Sequence, residues 1–470
     1  MIFRALALAL FVLALAPGVQ AQAQAQVQAP APAPALPQGD LKMDMEKSVL
    51  RAIEANPQMR SAKQQIYGAT EGIRASTAAF APVGTATYSS QAAYTTVPVM
   101  PSTSTASTTT STSASTSKLT YVQGSSYLAT LDLNVHQPLF TGFRLLSAYQ
   151  KSKLVKDQAD AMYRNVELTL INSVQTAFLS LLKYRANVKS NADSVARLES
   201  QYKVTKAFYD VGLRAQLDVF QAEADLATAK EALLSAQNSV DIQLAQLNSE
   251  LNVPLDQNVE YVGELSQIPF KLTLQDALDE AYKQRPDVAI ALKSVEMAEK
   301  DATTALSPAL PQVSADYDYI REGDKYWLRD QNVNFSERHQ FQLTFSWKAW
   351  DWGNTAFTYR QANDNVRKLQ ADLATLRLNV GVAVKTQYLN IQDAAKRIAV
   401  AKTGQVAAYE GYRQAVARYQ AQVGTNTDVL TAQAQATTAD FQVTQALTDY
   451  QTAISNLFAA IGRKNAMLAM

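Results

Sequence analysis

Between residues 339 and 349 apolar and polar side chains alternate. Phe341, Leu343, Phe345 and Trp347 fall on one face of an extended chain, and Gln340, Gln342, Thr344, Ser346 and Lys348 on the other. Residues 127–139 repeat the pattern, with Tyr127, Ala129, Leu131, Leu133, Val135 and Leu139 opposing Thr130, Asp132, Asn134 and His136. A period of two marks a strand with one apolar and one polar face. Weaker partners at 83–94 and 313–321 carry Tyr88, Tyr94, Tyr317 and Tyr319. The pattern predicts strands at about 83–97, 121–140, 312–322 and 338–350. Their two-sided polarity suits an outer-membrane barrel, with lipid outside and water within. It also suits a sheet packed on a soluble core. In the barrel reading Leu131, Leu133, Val135, Phe341, Leu343, Phe345 and Trp347 face lipid, and Tyr326, Trp347, Trp350 and Trp352 lie where an aromatic girdle sits. Strands so few cannot close a membrane barrel, whose smallest forms have about eight. An open edge in lipid is not viable, so a barrel would need partner chains.

The remainder reads as helix, and the chain is written twice. Ala52, Pro57, Ala62, Pro82 and Tyr88 meet Ala281, Pro286, Ala291, Pro311 and Tyr317 at one shift, with Met43 facing Leu272. At a second shift Tyr209, Asp218, Val219, Ala222, Ala224, Thr228, Ala229, Ala236 and Leu247 meet Tyr419, Asp428, Val429, Ala432, Ala434, Thr438, Ala439, Ala446 and Leu457. Each copy opens on a short helix (43–55; 272–284) that ends at Asn56-Pro57 or Arg285-Pro286, because the residue before proline disfavours helix. A second helix runs to Pro82 or to Pro308/Pro311. The strand pair comes next, then a rod. Phe143 to Val211 contains neither glycine nor proline, and as one helix would reach roughly 100 Å. A further rod follows the break at Gly212, over 218–253. The second copy places its rods at 355–420 and 428–461, with Gly381, Gly404 and Gly411 inside the longer one as potential breaks. The predicted division is a first repeat at 41–253, a linker at 254–269, a second repeat at 270–462 and a tail at 463–470. The hairpin tips fall at about 210–218 and 420–428. Ser102 to Ser117, nearly all Ser and Thr, predicts a surface loop within 98–120.

Composition narrows the function. Cysteine is absent, which excludes disulfides, thiolate metal sites, a cysteine nucleophile and a lipidated cysteine anchor. The only histidines are His136, expected on the polar strand face, and His339, expected near a loop or strand edge, so a histidine-based catalytic or metal site is a poor fit. No enzyme activity and no cofactor are expected. The formal net charge of +1 gives no field to recruit nucleic acid. Arg4, the apolar run Ala5 to Ala16 and the small residues of Val19-Gln20-Ala21 predict a signal peptide at 1–21, followed by an Ala/Gln/Pro-rich linker at 22–40.

The duplicated order of elements, Gln137-Pro138-Leu139-Phe140-Thr141-Gly142 at a strand-to-helix junction, and the turns Tyr209-Asp210-Val211-Gly212-Leu213 to Asp218-Val219 and Val423-Gly424-Thr425 to Asp428-Val429-Leu430 together resemble the TolC family of outer-membrane efflux and secretion proteins, over about 41–462. The resemblance implies a mainly α fold whose duplicated helix-strand-strand-helix repeat builds a trimeric twelve-stranded outer-membrane β-barrel continued by a long periplasmic α-helical barrel. It implies a passive exit duct for efflux or type I secretion. A periplasmic adaptor, coupled to an inner-membrane pump of ABC, RND or MFS type, would open its tip. Val211, Gly212 and Leu213, with Val423, Gly424 and Thr425, correspond to tip segments that meet the adaptor. Asp218 and Tyr419 match gate positions, and Asp428 a carboxylate ring, while each Asp equally suits a helix N-cap. The family's second ring acid falls on Thr431 and its gate arginine on Gly424, for which Arg418 or Arg214 would have to substitute. A periplasmic coiled-coil scaffold and a surface adhesin are the competing readings.

Overall fold

The computed structural model describes residues 42–99, 120–255, 257, 259–324 and 336–465. The expected signal peptide and linker, the Ser/Thr-rich segment Ser102 to Ser117, Tyr326 and residues 466–470 lie outside the described residues. The chain runs β1 (Lys42–Met43), α1 (Met45–Ala55), α2 (Pro57–Ala78), β2 (Val83–Val99), β3 (Thr120–Thr141), α3 (Arg144–Asp210) and α4 (Gln216–Glu250). It continues through β4 (Glu260–Tyr261), α5 (Leu274–Gln284), α6 (Pro286–Leu306), β5 (Gln312–Gly323), β6 (Ser336–Ser346), α7 (Asn354–Gln420) and α8 (Asn426–Ile461).

Local chemistry sets these boundaries. Asp44 caps α1 by accepting from the Lys47 amide, and Thr273 caps α5 by accepting from Asp276. Asn56 ends α1 in an extended conformation and caps α2 through Gln58, with Pro57 pre-set at the first helical position. Rods α3 and α7 each hold 67 residues, so each is about 100 Å long. The three glycines of α7 do not break it. Gly381 has a packing reason, since a Cβ there would stand 2.7 Å from the Tyr282 hydroxyl. The buried residues of α7 recur at Val366, Leu373 and Val380 and then at Val384, Ile391 and Ile398. These are two heptad runs offset by a four-residue insertion, a pattern that relaxes supercoiling locally.

Two cores, one per repeat, lie about the middle of the rods. Leu170, Val174, Phe178 and Leu181 pack with Leu247, Leu251 and Tyr261. In the second copy Val380, Val384 and Ile391 pack with Ala277, Ala281, Ile454, Leu457 and Phe458. The parallel pair β1–β4 ties the start of α1 to the segment between the repeats.

The four long strands form one antiparallel sheet in the order β2-β3-β5-β6. Among the described residues β2 and β6 each keep one unpaired edge. A bulge between Pro138 and Phe140 shifts the register of β3 against β5. Leu139 is therefore the extra residue, and Phe140, opposite Val313, takes the place on the apolar face that strict alternation gives to Leu139. β6 ends at Ser346, three residues before the alternation runs out at Ala349. There the Trp347 indole donates to the Ala309 carbonyl at 3.1 Å, and Asp351 turns the chain into α7 by accepting from the Gly353 and Thr355 amides. Trp347 and Trp350 thus stand beyond the strand. His339 lies inside β6 opposite Tyr319, not at a loop or strand edge as expected from the sequence.

Candidate functional site: the two-faced sheet and the hairpin tips

The sheet register collects the alternating positions into coherent faces. Tyr88, Leu131 and Arg321 form one cross-strand row, Ala86, Leu133 and Tyr319 the next, and Gly84, Val135, Tyr317 and Phe341 the third. Leu343 pairs with Ala315 and Phe345 with Val313 on the same face. Phe341, Leu343 and Phe345 are 63–74% exposed, a large apolar area for a chain to leave uncovered in water. Leu133 and Val135 are exposed and Leu131 is half-buried. The opposite face is polar. Asn134 Nδ2 donates to Asp318 at 2.6 Å, and His136 Nδ1 meets Asp316 at 2.5 Å. On the apolar side the Tyr317 hydroxyl lies 2.9 Å from His339 Nδ1. His136 is engaged by Asp316 and His339 by Tyr317 and Tyr319 across the strands, and no group of three or more potential metal ligands occurs among the described residues. No helix of the described residues is long and apolar enough to cross a membrane.

The far ends of the rods are two tight turns with unequal chemistry. After α3, Gly212 adopts φ +79° while its amide and that of Leu213 close back on the Tyr209 and Phe208 carbonyls. After α7 the equivalent left-handed residue is Gln422, at φ +62°. Gly424 is a glycine for another reason: its Cβ would sit 3.2 Å from Arg418 and Tyr419 backbone atoms. Val211, Leu213 and Val423 project from the turns, 53–70% exposed.

Neither aspartate is the N-cap of its helix, which corrects the capping expectation. Thr425 caps α8, and Asp428 is the third helical residue of a capping box, accepting from the Thr425 amide at 2.9 Å. That amide, then the Thr425 hydroxyl, hold the exposed Asp428 carboxyl below the usual carboxylate range. Ala215 stands at the corresponding place before α4 and offers no side-chain cap, so Asp218 lacks this partner.

Tyr419 is fully buried between the hairpins, and its hydroxyl donates to Thr205 Oγ1 at 3.0 Å. Arg214 covers its ring at 4.9 Å and donates to the Gly424 carbonyl at 2.8 Å. Of Arg418 and Arg214, Arg214 is the one whose guanidinium bonds Gly424, while Arg418 meets it through its backbone carbonyl. Asp218 joins this cluster through its carbonyl, which accepts from Asn426 Nδ2 at 3.2 Å; its carboxylate does not meet Tyr419. Asn426, buried, accepts from Gln201 Nε2 at 2.9 Å. Farther along α8, Gln433 accepts from Arg197 of α3 at 2.8 Å and donates to Ser194 of α3 at 3.2 Å. Sequence reasoning missed Gln201, Thr205, Asn426 and Gln433. Their signal was a polar stripe on α3 at helical spacing, Ser194, Gln201 and Thr205, which reads equally as a solvated face.

The family model for outer membrane efflux proteins matches residues 49–253 and 277–463, one match for each repeat. The chain is 28% identical over 135 residues to outer membrane efflux protein BepC of Brucella suis biovar 1 (strain 1330), a match spanning 28% of this chain and 30% of that protein. It is 23% identical over 346 residues to outer membrane protein TolC of Vibrio cholerae serotype O1 (strain ATCC 39315 / El Tor Inaba N16961), covering 72% of this chain and 77% of that protein. The fold matches the outer membrane protein VceC of Vibrio cholerae with a TM-score of 0.69 and 16% identity, over 90% of this chain and 97% of VceC. The duplicated match, the two-faced sheet and the paired rods converge, and the chain belongs to the outer membrane efflux protein family, the TolC-type outer-membrane channels.

Proposed function

We propose that the protein is the passive outer-membrane duct of a tripartite export system. The observation that carries this reading is the four-stranded sheet, apolar on one face and polar on the other, whose strands run directly into 67-residue rods. Its unpaired edges at β2 and β6 need partners in lipid, and three copies joined edge to edge give a twelve-stranded barrel continued by a twelve-helix tube. Leu131, Leu133, Val135, Phe341, Leu343 and Phe345 then face lipid, with Trp347 at the rim. The rods cross the periplasm and end at the hairpin tips. Val211, Gly212, Leu213, Val423, Gly424 and Thr425 meet a periplasmic adaptor, and an inner-membrane pump supplies the energy. The duct performs no chemistry of its own.

The tip is held shut by the buried cluster at Tyr419. Arg214 supplies the guanidinium that the second tip lacks at Gly424, with Asn426 bonded both to Gln201 and to the Asp218 carbonyl. Asp428, exposed and held ionised, repeats three times around the entrance and concentrates cations there. Single-channel recording in planar bilayers tests the reading. The purified protein should insert as a trimer and conduct weakly, Arg214→Ala should raise the conductance several-fold, and Asp428→Ala should lower the preference for cations. A non-conducting protein recovered only from the soluble fraction would overturn the duct.

A further inference from the structure

The apolar face of the sheet does not stop at the strand ends. β3 passes into α3 through Gly142 and Phe143, at φ +59° and +67°, and β6 passes into α7 through Trp352 and Gly353, at φ +56° and +81°. Glycine takes the left-handed region freely. A phenylalanine or tryptophan is strained there and persists only where the surroundings over-determine it. At the first junction the constraint is visible, because a Cβ on Gly142 would stand 2.5 Å from the Ser307 carbonyl oxygen.

The strained residues are not hidden. Trp352 is 85% exposed and Trp350, in edge contact with it at 5.6 Å, 73% exposed. Phe143 packs edge-on against Phe140 at 5.3 Å, which joins it to the apolar row opposite Val313. Backbone strain that exposes large rings is consistent with rings meant for a second phase, and indoles favour the boundary between hydrocarbon and headgroups.

Three exposed cations accompany the rings: Arg144, Lys348 and Arg360. None forms an ion pair among the described residues. Arg360 lies over the Phe357 ring at 5.8 Å. Asp351 attracts Lys348, but its oxygens are occupied by the Gly353 and Thr355 amides and the Thr355 hydroxyl. Arg144 sits in the first turn of α3, where a cation opposes the helix dipole and no acid offsets it. Its charge has no ion-pair partner among the described residues.

We propose that this junction is a lipid-binding collar that selects anionic phospholipids of the periplasmic leaflet. Its rings lie in the headgroup boundary, and Arg144, Lys348 and Arg360 pair with phosphate-bearing anionic headgroups. The proposal rests on the duct reading, since the collar is continuous with the face assigned to hydrocarbon. The occupant follows from that continuity and from three exposed cations beside apolar rings, none of which forms an ion pair among the described residues.

The test uses the full chain, reconstituted in vesicles of phosphatidylcholine with or without phosphatidylglycerol, in a Trp327→Phe background so that the junction indoles alone report. Lipids brominated near the headgroup should quench the indoles, and aqueous iodide should not. Labelled phosphatidylglycerol should associate in preference to phosphatidylcholine. Each of R144Q, K348Q and R360Q should weaken that preference roughly fivefold, while R144K retains it. Equal association of the two lipids would overturn the collar, as would indoles shielded from both quenchers, the result expected if a second copy covers them. A protein that still conducts in neutral vesicles would leave the duct standing in either case. Failure to insert into any vesicle would overturn both readings.

Discussion

Asn426 concentrates the logic of the tip in one side chain. Its amide uses both ends, accepting from Gln201 and donating to the Asp218 carbonyl, and it is buried where water cannot replace either partner. Asn426→Ala strands a buried amide and costs about 1–3 kcal/mol. A lower melting temperature together with a higher resting conductance would be the expected pair of effects; a lower melting temperature with unchanged conductance would make the residue merely structural. Asp428 acts through charge. Its folded-state pKa lies below the unfolded value, so the stability it contributes is complete above the ordinary carboxylate pKa of about 3.9. It is lost as pH falls through the folded value. The melting temperature of Asp428→Asn should therefore trail that of the native protein at neutral pH, and the two should converge in acid. A gap independent of pH would assign the capping box to geometry alone.

At the scale of elements, residues in left-handed backbone decide where rods begin and end. Gly462 closes α8 at φ +86°, with a would-be Cβ only 2.8 Å from the Arg285 Cα. Gly462→Ala therefore combines strain with a clash at the corner between α5 and α6, and should cost about 1–3 kcal/mol or more in thermal or denaturant melts. Gln422→Gly should act in the opposite direction, relieving a non-glycine residue at φ +62°. Long rods, tight turns and alternating strands were legible in the sequence because each obeys a local period. The strand boundary at Ser346 was not, since it depends on contacts from Trp347 to Ala309 and from Asp351 to the head of α7. The tip cluster was hidden for a similar reason. Tyr419 and Asp218 recur between the two copies and match gate positions of the family the chain resembles, whereas Asn426 and Gln201 have no identical partner and face each other across 225 residues of chain. The close approach of Gly381 to the Tyr282 hydroxyl was hidden likewise, since it joins α7 to a distant neighbour.

For the whole molecule the decisive feature is that α7 carries two apolar faces. Its buried residues, Val366, Leu373, Val380, Val384, Ile391 and Ile398, fall within about 40° of one another at roughly 100° per residue. Leu378, Val382, Leu389 and Val400 form a second stripe of similar width on the other side of the helix, and they are 50–73% exposed. The first stripe is satisfied within the chain by α5, α6 and α8. Nothing among the described residues covers the second, and a rod in a water-filled compartment gains nothing by exposing it. Burial against another copy would return about 1.5–3 kcal/mol for each large side chain. In the trimeric duct proposed above, a closed ring of rods requires helices with a neighbour on each side, and the second stripe would then be the helical counterpart of the open edges of β2 and β6. Leu378→Glu places a charge on the stripe and spares the first face. It should dissociate the proposed trimer, read by native mass spectrometry or light scattering in detergent, while the helical circular-dichroism signal of the protomer persists. A trimer of native stability in that variant would mean that the stripe faces the lumen, and the subunit contacts would then have to lie elsewhere on the rods.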